Sequence, residues 1–457
     1  MIAHSNQNHP KALVAEHFAT LQSRWEHALA SAGYQLAIVA AGQPETYLFD
    51  DQTPVFRANP HLTQWLTGDA CEGSLLIVEA GEKPRLLFFE PKDYWHQPPQ
   101  PPHWLNDHLQ IDVFADLSKL EQEARVQLQG RERVACIGHS SASALGVGEL
   151  NPRNLIDQLH YFRAYKTAFE AHCMRAATAK AVAGHGAAAR AFAAGASEFE
   201  LQLAYLRASE QTESDLPYPN IVAINEHAGI LHYQHYDRAA PQEARSFLID
   251  AGARHVNYAA DITRTYAGAG GGAAQQTFGA LVAELDANQL ELIASISPGQ
   301  SYLALHEQMH QRLGGVLRSA ELISCSAEEA FASGITRAFL PHGLGHLLGL
   351  QTHDVGGHQV DADGSIDEPP ETYQTLRLTR KIEPRQVFTI EPGIYFIPQL
   401  LDELRAGTAA THVQWSAVDA LLGFGGIRIE DNVLVTDTGV ENFTRDAFRA
   451  AAGTVEL

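Results

Sequence analysis

Three histidines stand in a segment that is otherwise apolar. PHGLGHLLGLQTHDVGG, residues 341–357, carries His342, His346 and His353. A plain hydrophobic core has no use for them, because every buried ring nitrogen needs a partner. Four carboxylates raise the same question. Asp250 ends SFLID, Asp261 lies in NYAADITRTY, Glu391 interrupts VFTIEPGIYFI and Glu430 interrupts GIRIEDNVLV. Their β-branched and aromatic neighbours suit buried or half-buried strands. Any one of them alone is explained by a turn or by a salt bridge to Arg264 or Arg428. Four of them together require cations, either basic side chains or metal ions. Two divalent ions would offset four carboxylates in full. An oxygen-rich set with one imidazole suits a metal such as Mn²⁺ and also admits Zn²⁺ or Co²⁺.

The elements that must position these groups can be read from periodicity. A chain of 457 residues is long enough for two domains and a sizeable core. Residues 11–32 place Leu13, Phe18, Leu21, Trp25 and Leu29 at helical spacing. YQLAIVAAG, SLLIVEAG, PRLLFFEP and VACIGH read as strands bounded by Gly, Pro or polar residues, with a Pro-rich loop at 96–104. Strands mixed with helices predict an α/β N-terminal domain over residues 1–162. The Ala-rich run 163–195 predicts a long helix opening a second domain, residues 163–457, or else a linker helix. Further helices are expected at 198–211 and 274–295. The β runs that carry the four carboxylates alternate with these helices, which predicts an α+β domain built on an antiparallel sheet.

Composition narrows the function. A formal net charge of −22 argues against nucleic acid and against an anionic membrane as partners. No apolar run is long enough to span a bilayer, and the N-terminus lacks the basic and apolar regions of a secretory signal. Cys71, Cys136, Cys173 and Cys325 are scattered and form no CxxC pair, as expected of reduced thiols in a cytoplasmic protein. Two other motifs are weaker. GAGGGA at 268–273 has a dinucleotide-like spacing but no βαβ unit around it, so a turn is expected. GHSSA at 138–142 follows a strand like a nucleophile elbow but ends in Ala, and Ser140 and Ser141 are expected to start a helix.

IDAG…DITRT, PHGLGH…HD, TIEPGIY and GIRIEDN stand in order. The sequence resembles the pita-bread dinuclear metallopeptidases, which include methionine aminopeptidases, aminopeptidase P and prolidases. FDDQTP, RAYKTAFE, LPYPNIVAINEHAGILHYQ and FLPHGLGHLLGLQTHDVGG make it most similar to the bacterial prolidases, some of which also hydrolyse organophosphate triesters. The resemblance implies an α/β N-terminal domain followed by a catalytic domain with a curved antiparallel sheet flanked by helices. It implies two divalent ions held by Asp250, Asp261, His346, Glu391 and Glu430, with Asp261 and Glu430 bridging. His342 and His353 would support the developing charge and Glu391 would move the proton. His232, Arg377, Arg428, Tyr218, Tyr302 and Leu376 would contact the substrate, with Arg380 as an alternative to Arg377. The substrate class so implied is an Xaa-Pro dipeptide. The alternatives are an aminopeptidase P acting on longer peptides and a non-catalytic binding module of the same fold. Asp50–Asp51 resembles a loop that reaches a partner subunit, implying a homodimer.

Overall fold

Pro10 and Gly33 bound the first helix, Lys11–Ala32, and Gly33 closes it in the left-handed conformation at φ 78°. Its inward stripe includes Phe18, Leu21, Trp25 and Leu29. The computed structural model describes residues 10–66, 68, 71–139, 146 and 148–453, and Ser140 and Ser141 lie outside them. The chain forms two compact units. One comprises Met1–Cys173, Val256–Tyr258 and Asp361–Ser365; the other comprises Met174–His255, Ala259–Val360 and Ile366–Leu457.

The first unit is built on a mixed six-stranded sheet. Its order is Gln110–Phe114, Arg85–Phe89, Leu75–Glu79, Leu36–Ala40, Val134–Ile137 and Glu149–Leu150. Leu36–Ala40 pairs antiparallel to Leu75–Glu79 and parallel to Val134–Ile137, and every one of its residues is buried. Helix Leu117–Leu128, capped by the Asp116 side chain, contributes Leu120, Ala124 and Leu128 to the core against this sheet.

The long helix expected from residue 163 begins later. Arg163 ends helix Arg153–Arg163, and the next helix is Ala168–Ala193. The break has a local cause. Glu170 Oε2 accepts from the Thr167 backbone N–H at 2.7 Å, while Thr167 Oγ1 accepts from the Glu170 N–H. This reciprocal pair satisfies the free donors of a helix start. No disulfide joins the four cysteines, all of which are buried.

Three small antiparallel sheets of the second unit surround the carboxylates. The first is Ile221–Ile224, Ser246–Asp250 and Thr263–Ala267; the second is Val387–Ile390, Asp431–Val435 and Val440–Asn442. The third pairs Gly393–Tyr395 with Gly426–Arg428. A bridge between Thr263 and Glu430 links pieces of different sheets. The runs carrying Asp261, Glu391 and Glu430 are each two short strands rather than one, while Asp250 ends the unbroken strand Ser246–Asp250. The interruptions fall at Asp261–Ile262, Glu391–Pro392 and Ile429–Glu430. Gln289, buried on helix Ala273–Ala294, spans two of these breaks by donating to the Ile390 and Ile429 carbonyls at 2.9 and 3.4 Å.

GAGGGA forms the turn that leads into that helix. Its first glycine is required by packing, since a Cβ at Gly268 would lie 1.8 Å from the Ala244 carbonyl oxygen. Gln275 Nε2 then ties the turn to the Gly268 and Arg245 carbonyls.

Candidate metal centre

Asp261, His346 and Glu430 come together from three separate segments. One ligand atom from each lies within 4.8 Å of the others, and all three residues are buried. Asn432 sets the Asp261 segment. Its Oδ1 accepts from the Asp261 N–H at 3.0 Å and its Nδ2 donates back to the Asp261 carbonyl, as a neighbouring strand would. Thr263 Oγ1 donates to Glu430 Oε2 at 2.8 Å. Thr389 exchanges bonds with the His346 backbone, and Gly345 permits the approach, since a Cβ there would meet the Thr389 carbonyl at 2.1 Å.

His346 Nδ1 lies 3.0 Å from the Leu347 carbonyl, which fixes the proton on that nitrogen. Nε2 is left facing oxygen, 3.4 Å from Asp261 Oδ2 and 3.7 Å from Glu391 Oε1. This is the tautomer of a metal-binding imidazole. Asp250 stands beside the cluster. The Tyr218 hydroxyl reaches both Asp250 Oδ1, at 2.8 Å, and Asp261 Oδ1, and Arg428 closes an ion pair to Asp250 Oδ2 at 2.6 Å.

The charges show how crowded the site is. Burial, together with the negative charge of Asp261, lifts the carboxyls of Asp250 and Glu430 above their usual range. Burial pushes Glu391 up to about 7. Burial also acts against Asp261, but the His346 bond and charge and the Tyr218 hydroxyl outweigh it and hold that carboxyl low. Arg264 belongs elsewhere, paired with Asp431 at 2.7 Å. One guanidinium thus serves three buried carboxylates and the half-buried Glu391, which is too little charge to stabilise them. The donor set of carboxylate oxygens and one imidazole nitrogen fits divalent metal ions.

The remaining expected residues divide. His353 packs edge-on to His346 with centroids 4.4 Å apart, and burial of its inner side with the His346 charge lowers it to about 4. His232 is exposed and within electrostatic reach of both His342 and His353. Arg377 is exposed, makes no ion pair among the described residues, and acts on His353 through its charge. Arg380 is buried and committed to the Gly356 carbonyl and to Glu383.

Several expectations need correction. Arg428, expected to contact the substrate, is engaged inside the protein. Its guanidinium is buried and donates to Asp250, to Tyr395 at 2.7 Å and to Thr263 at 3.2 Å. Tyr302 is core, its hydroxyl donating to the Thr389 carbonyl at 2.8 Å, and Leu376 is buried against Gly343. Tyr218 supports two carboxylates rather than forming a bare wall. His342 has both ring nitrogens engaged, Nδ1 with the Gly343 carbonyl and Nε2 with the Tyr395 hydroxyl, each at 2.8 Å. Because Arg428 donates to the Tyr395 oxygen, the tyrosine proton goes to His342. Burial, then the Arg428 charge, keep that imidazole neutral, at about 3.

Sequence reasoning missed Tyr395, Thr263, Asn432, Thr389 and Gln289. Tyr395 and Asn432 stand inside PGIYF and IEDN, beside two of the carboxylates, and were within reach as polar residues in apolar strands. The others carry no local signal.

Comparison with known proteins places this arrangement. Residues 172–437 match metallopeptidase family M24, and residues 12–161 match the Xaa-Pro dipeptidase N-terminal domain. The chain is 43% identical over 441 residues to an Xaa-Pro dipeptidase of Yersinia pseudotuberculosis, covering 95% of this chain and 98% of that one. It is 44% identical over the same length and shares to an Xaa-Pro dipeptidase of Pectobacterium carotovorum. Among solved structures, Pseudomonas aeruginosa aminopeptidase PepP superposes with a TM-score of 0.70 at 22% identity, covering 95% of this chain and 99% of the other. Escherichia coli aminopeptidase P with the inhibitor Pro-Leu gives 0.70 at 21% identity, covering 94% and 99%. A buried carboxylate–histidine cluster in a chain that matches across both of its parts makes this protein a member of metallopeptidase family M24, with a pita-bread catalytic domain behind an N-terminal domain of the Xaa-Pro dipeptidase type.

Proposed function

We propose that the chain hydrolyses Xaa-Pro dipeptides with two divalent ions, for which Mn²⁺ is our assignment, held by Asp250, Asp261, His346, Glu391 and Glu430. The observation that carries this reading is the closure of Asp261, His346 and Glu430 to within 4.8 Å, in a chain 43% identical end to end to an Xaa-Pro dipeptidase. We assign residues 1–162 to an N-terminal domain and 163–457 to the catalytic domain. Metal ions bound there would supply the charge that brings a water towards ionisation at neutral pH and polarises the scissile carbonyl.

The protein side chains supply the rest. Glu391, 3.7 Å from His346 Nε2, is placed to receive the water proton and return it to the departing proline nitrogen. His353 and His232 offer imidazole donors to the oxyanion that develops on the carbonyl oxygen. His342 is a positioning residue, holding Tyr395 and through it Arg428. An Xaa-Pro bond is a tertiary amide without an N–H, so the substrate has to be held by its ends. Arg377, exposed and without an ion pair among the described residues, takes the C-terminal carboxylate as a bidentate partner. That contact closes the site to longer peptides.

A cytoplasmic homodimer is the assembly we favour. Leu48 and Phe49 are 82% and 100% exposed beside Asp50–Asp51, an apolar and acidic tip suited to covering by a second copy. We extend the proposal to organophosphate triesters as a promiscuous substrate class, because the same attacking oxygen suits phosphorus.

Aminopeptidase P activity is the second reading, favoured by the shared fold of the solved structures. Release of free proline from Leu-Pro and cleavage of Leu-Pro-Gly, by metal-stripped enzyme with and without Mn²⁺, separate the two. Metal-dependent cleavage of Leu-Pro alone supports the dipeptidase, and cleavage of the tripeptide supports aminopeptidase P. Cleavage of neither, with metal bound, overturns both.

A further inference from the structure

We propose that the cavity beside His342 is a second ligand site, one that takes an amino-acid zwitterion. Its volume is about 370 Å³, and Arg337, Leu340, His342, Tyr373, Leu400 and Glu403 are on its wall. That volume falls within the range of small-molecule sites. None of the five candidate metal ligands lines it.

The charges on the wall identify the ligand. Arg337 rises from helix Ile335–Phe339 and Glu403 from helix Pro398–Ala406. Neither makes an ion pair, with the other or with any third group, among the described residues. The Arg337 charge acts on the neutral Tyr373 hydroxyl, which shares the wall with it. A lone anion such as phosphate would meet Glu403, and a lone cation would meet Arg337. A molecule carrying both an ammonium and a carboxylate answers both charges with charge-assisted hydrogen bonds. Leu340, Leu400 and Leu404 give its side chain an apolar surface.

The histidines beside the cavity add polar capacity. His310 lines the wall, bonds Thr336 Oγ1 at 3.1 Å and stacks on Tyr373 at 5.5 Å. His306 is 1% exposed and packs edge-on to His310 and Tyr373 at 4.6 and 4.5 Å. Neither of its ring nitrogens has a hydrogen-bond partner among the described residues. Buried polar groups are rarely left this way without a use.

The cavity also touches the reaction centre. His342 lines it and bonds Tyr395, which bonds Arg428, which pairs with Asp250. Occupancy therefore bears on the metal centre without blocking it. That the ligand class is also the product class rests on the dipeptidase reading, whereas the binding itself does not.

Calorimetric titration of the metal-loaded enzyme tests the site, first with L-leucine and then with the reversed dipeptide Pro-Leu, which contains no Xaa-Pro bond. Arg337→Ala and the exposed Glu403→Ala are titrated alongside, since both residues lie outside the proposed catalytic machinery. A ligand of the cavity binds each variant at least about tenfold more weakly than wild type, from the loss of one charge-assisted contact, while Leu-Pro turnover at low substrate is unchanged. Weakened leucine binding identifies a free amino acid, and weakened Pro-Leu binding alone identifies a peptide. Isotherms of both ligands that are the same in wild type and both variants overturn the proposal. Failure of wild type to cleave Leu-Pro would sink the dipeptidase reading and leave the isotherms standing.

Discussion

Asp250 and Arg428 are joined by a 2.6 Å ion pair buried at the edge of the metal centre, and the same guanidinium bonds Tyr395. Removing one partner of such a pair leaves an uncompensated charge in the interior. Arg428→Ala is expected to cost about 3–5 kcal/mol in denaturant unfolding of the metal-free protein. Arg428→Lys should lose less, because it keeps the charge but not the fork. An alanine variant as stable as wild type would show that Asp250 is neutralised by other means.

His346→Ala removes the only imidazole in the cluster. Bound metal, measured by plasma mass spectrometry after dialysis, should fall, and Leu-Pro hydrolysis should drop by about a thousandfold or more. Full activity with full metal content would remove His346 from the ligand set.

Arg377 and Arg380 stand close in sequence and should behave oppositely. Arg377→Ala should raise KM for Leu-Pro about 10- to 100-fold, the loss of a bidentate carboxylate contact, with the melting temperature unchanged. Arg380→Ala should lower the melting temperature and leave KM near wild type, because its bonds go to Gly356 and Glu383. The reverse pattern would make Arg380 the substrate group.

His185 predicts an acid-sensitive fold. Burial is the main reason its pKa falls from 6.5 to about 3, and Nε2 lies 3.0 Å from the Ala251 carbonyl. The unfolded chain takes up a proton below pH 6.5 that the folded chain refuses. This contribution is therefore complete above that pH and is lost as the pH falls towards about 3, by up to about 1.4 kcal/mol per pH unit. His185→Gln keeps a donor for Ala251 without the titration. Its unfolding free energy should change less between pH 7 and pH 5 than that of wild type, and equal slopes would exclude His185 as a source.

Gly268→Ala should destabilise the protein by more than about 1 kcal/mol, since its Cβ meets backbone. Gly271→Ala, where a Cβ meets nothing within 4 Å, should be neutral or slightly stabilising. Thermal melts of the two variants, differing only in position, decide the point.

Much of the site was legible because its logic is local. A carboxylate between β-branched residues announces burial, and repeated instances call for cations. The helix Lys11–Ala32 and the strands of the first sheet followed from spacing and from Gly and Pro at their ends. What could not be read was contact across the chain. Nothing near Arg428 says that Asp250 will claim it, so it looked free for a substrate. Tyr302 looked like a pocket wall until the Thr389 carbonyl took its hydroxyl. Apolar runs such as VFTIEPGIYFI read as continuous strands, because pattern alone does not reveal that the chain breaks at Glu391–Pro392. The helix start at Ala168 depended on a reciprocal Thr167–Glu170 pair that was present in the sequence but outweighed by the helix-forming run around it.

The partners Asp250 and Arg428 are separated by 178 residues of chain. During synthesis, Asp250 emerges long before its guanidinium does, while the strands and helix of the first unit are already available to fold. The full set of side chains therefore cannot assemble until the segment around Arg428 and Glu430 has been made. Acidic side chains remain in water until the segment around Arg428 and Glu430 arrives, and metal capture is deferred to the last stage of translation, when nearly the whole catalytic chain is in place to receive it.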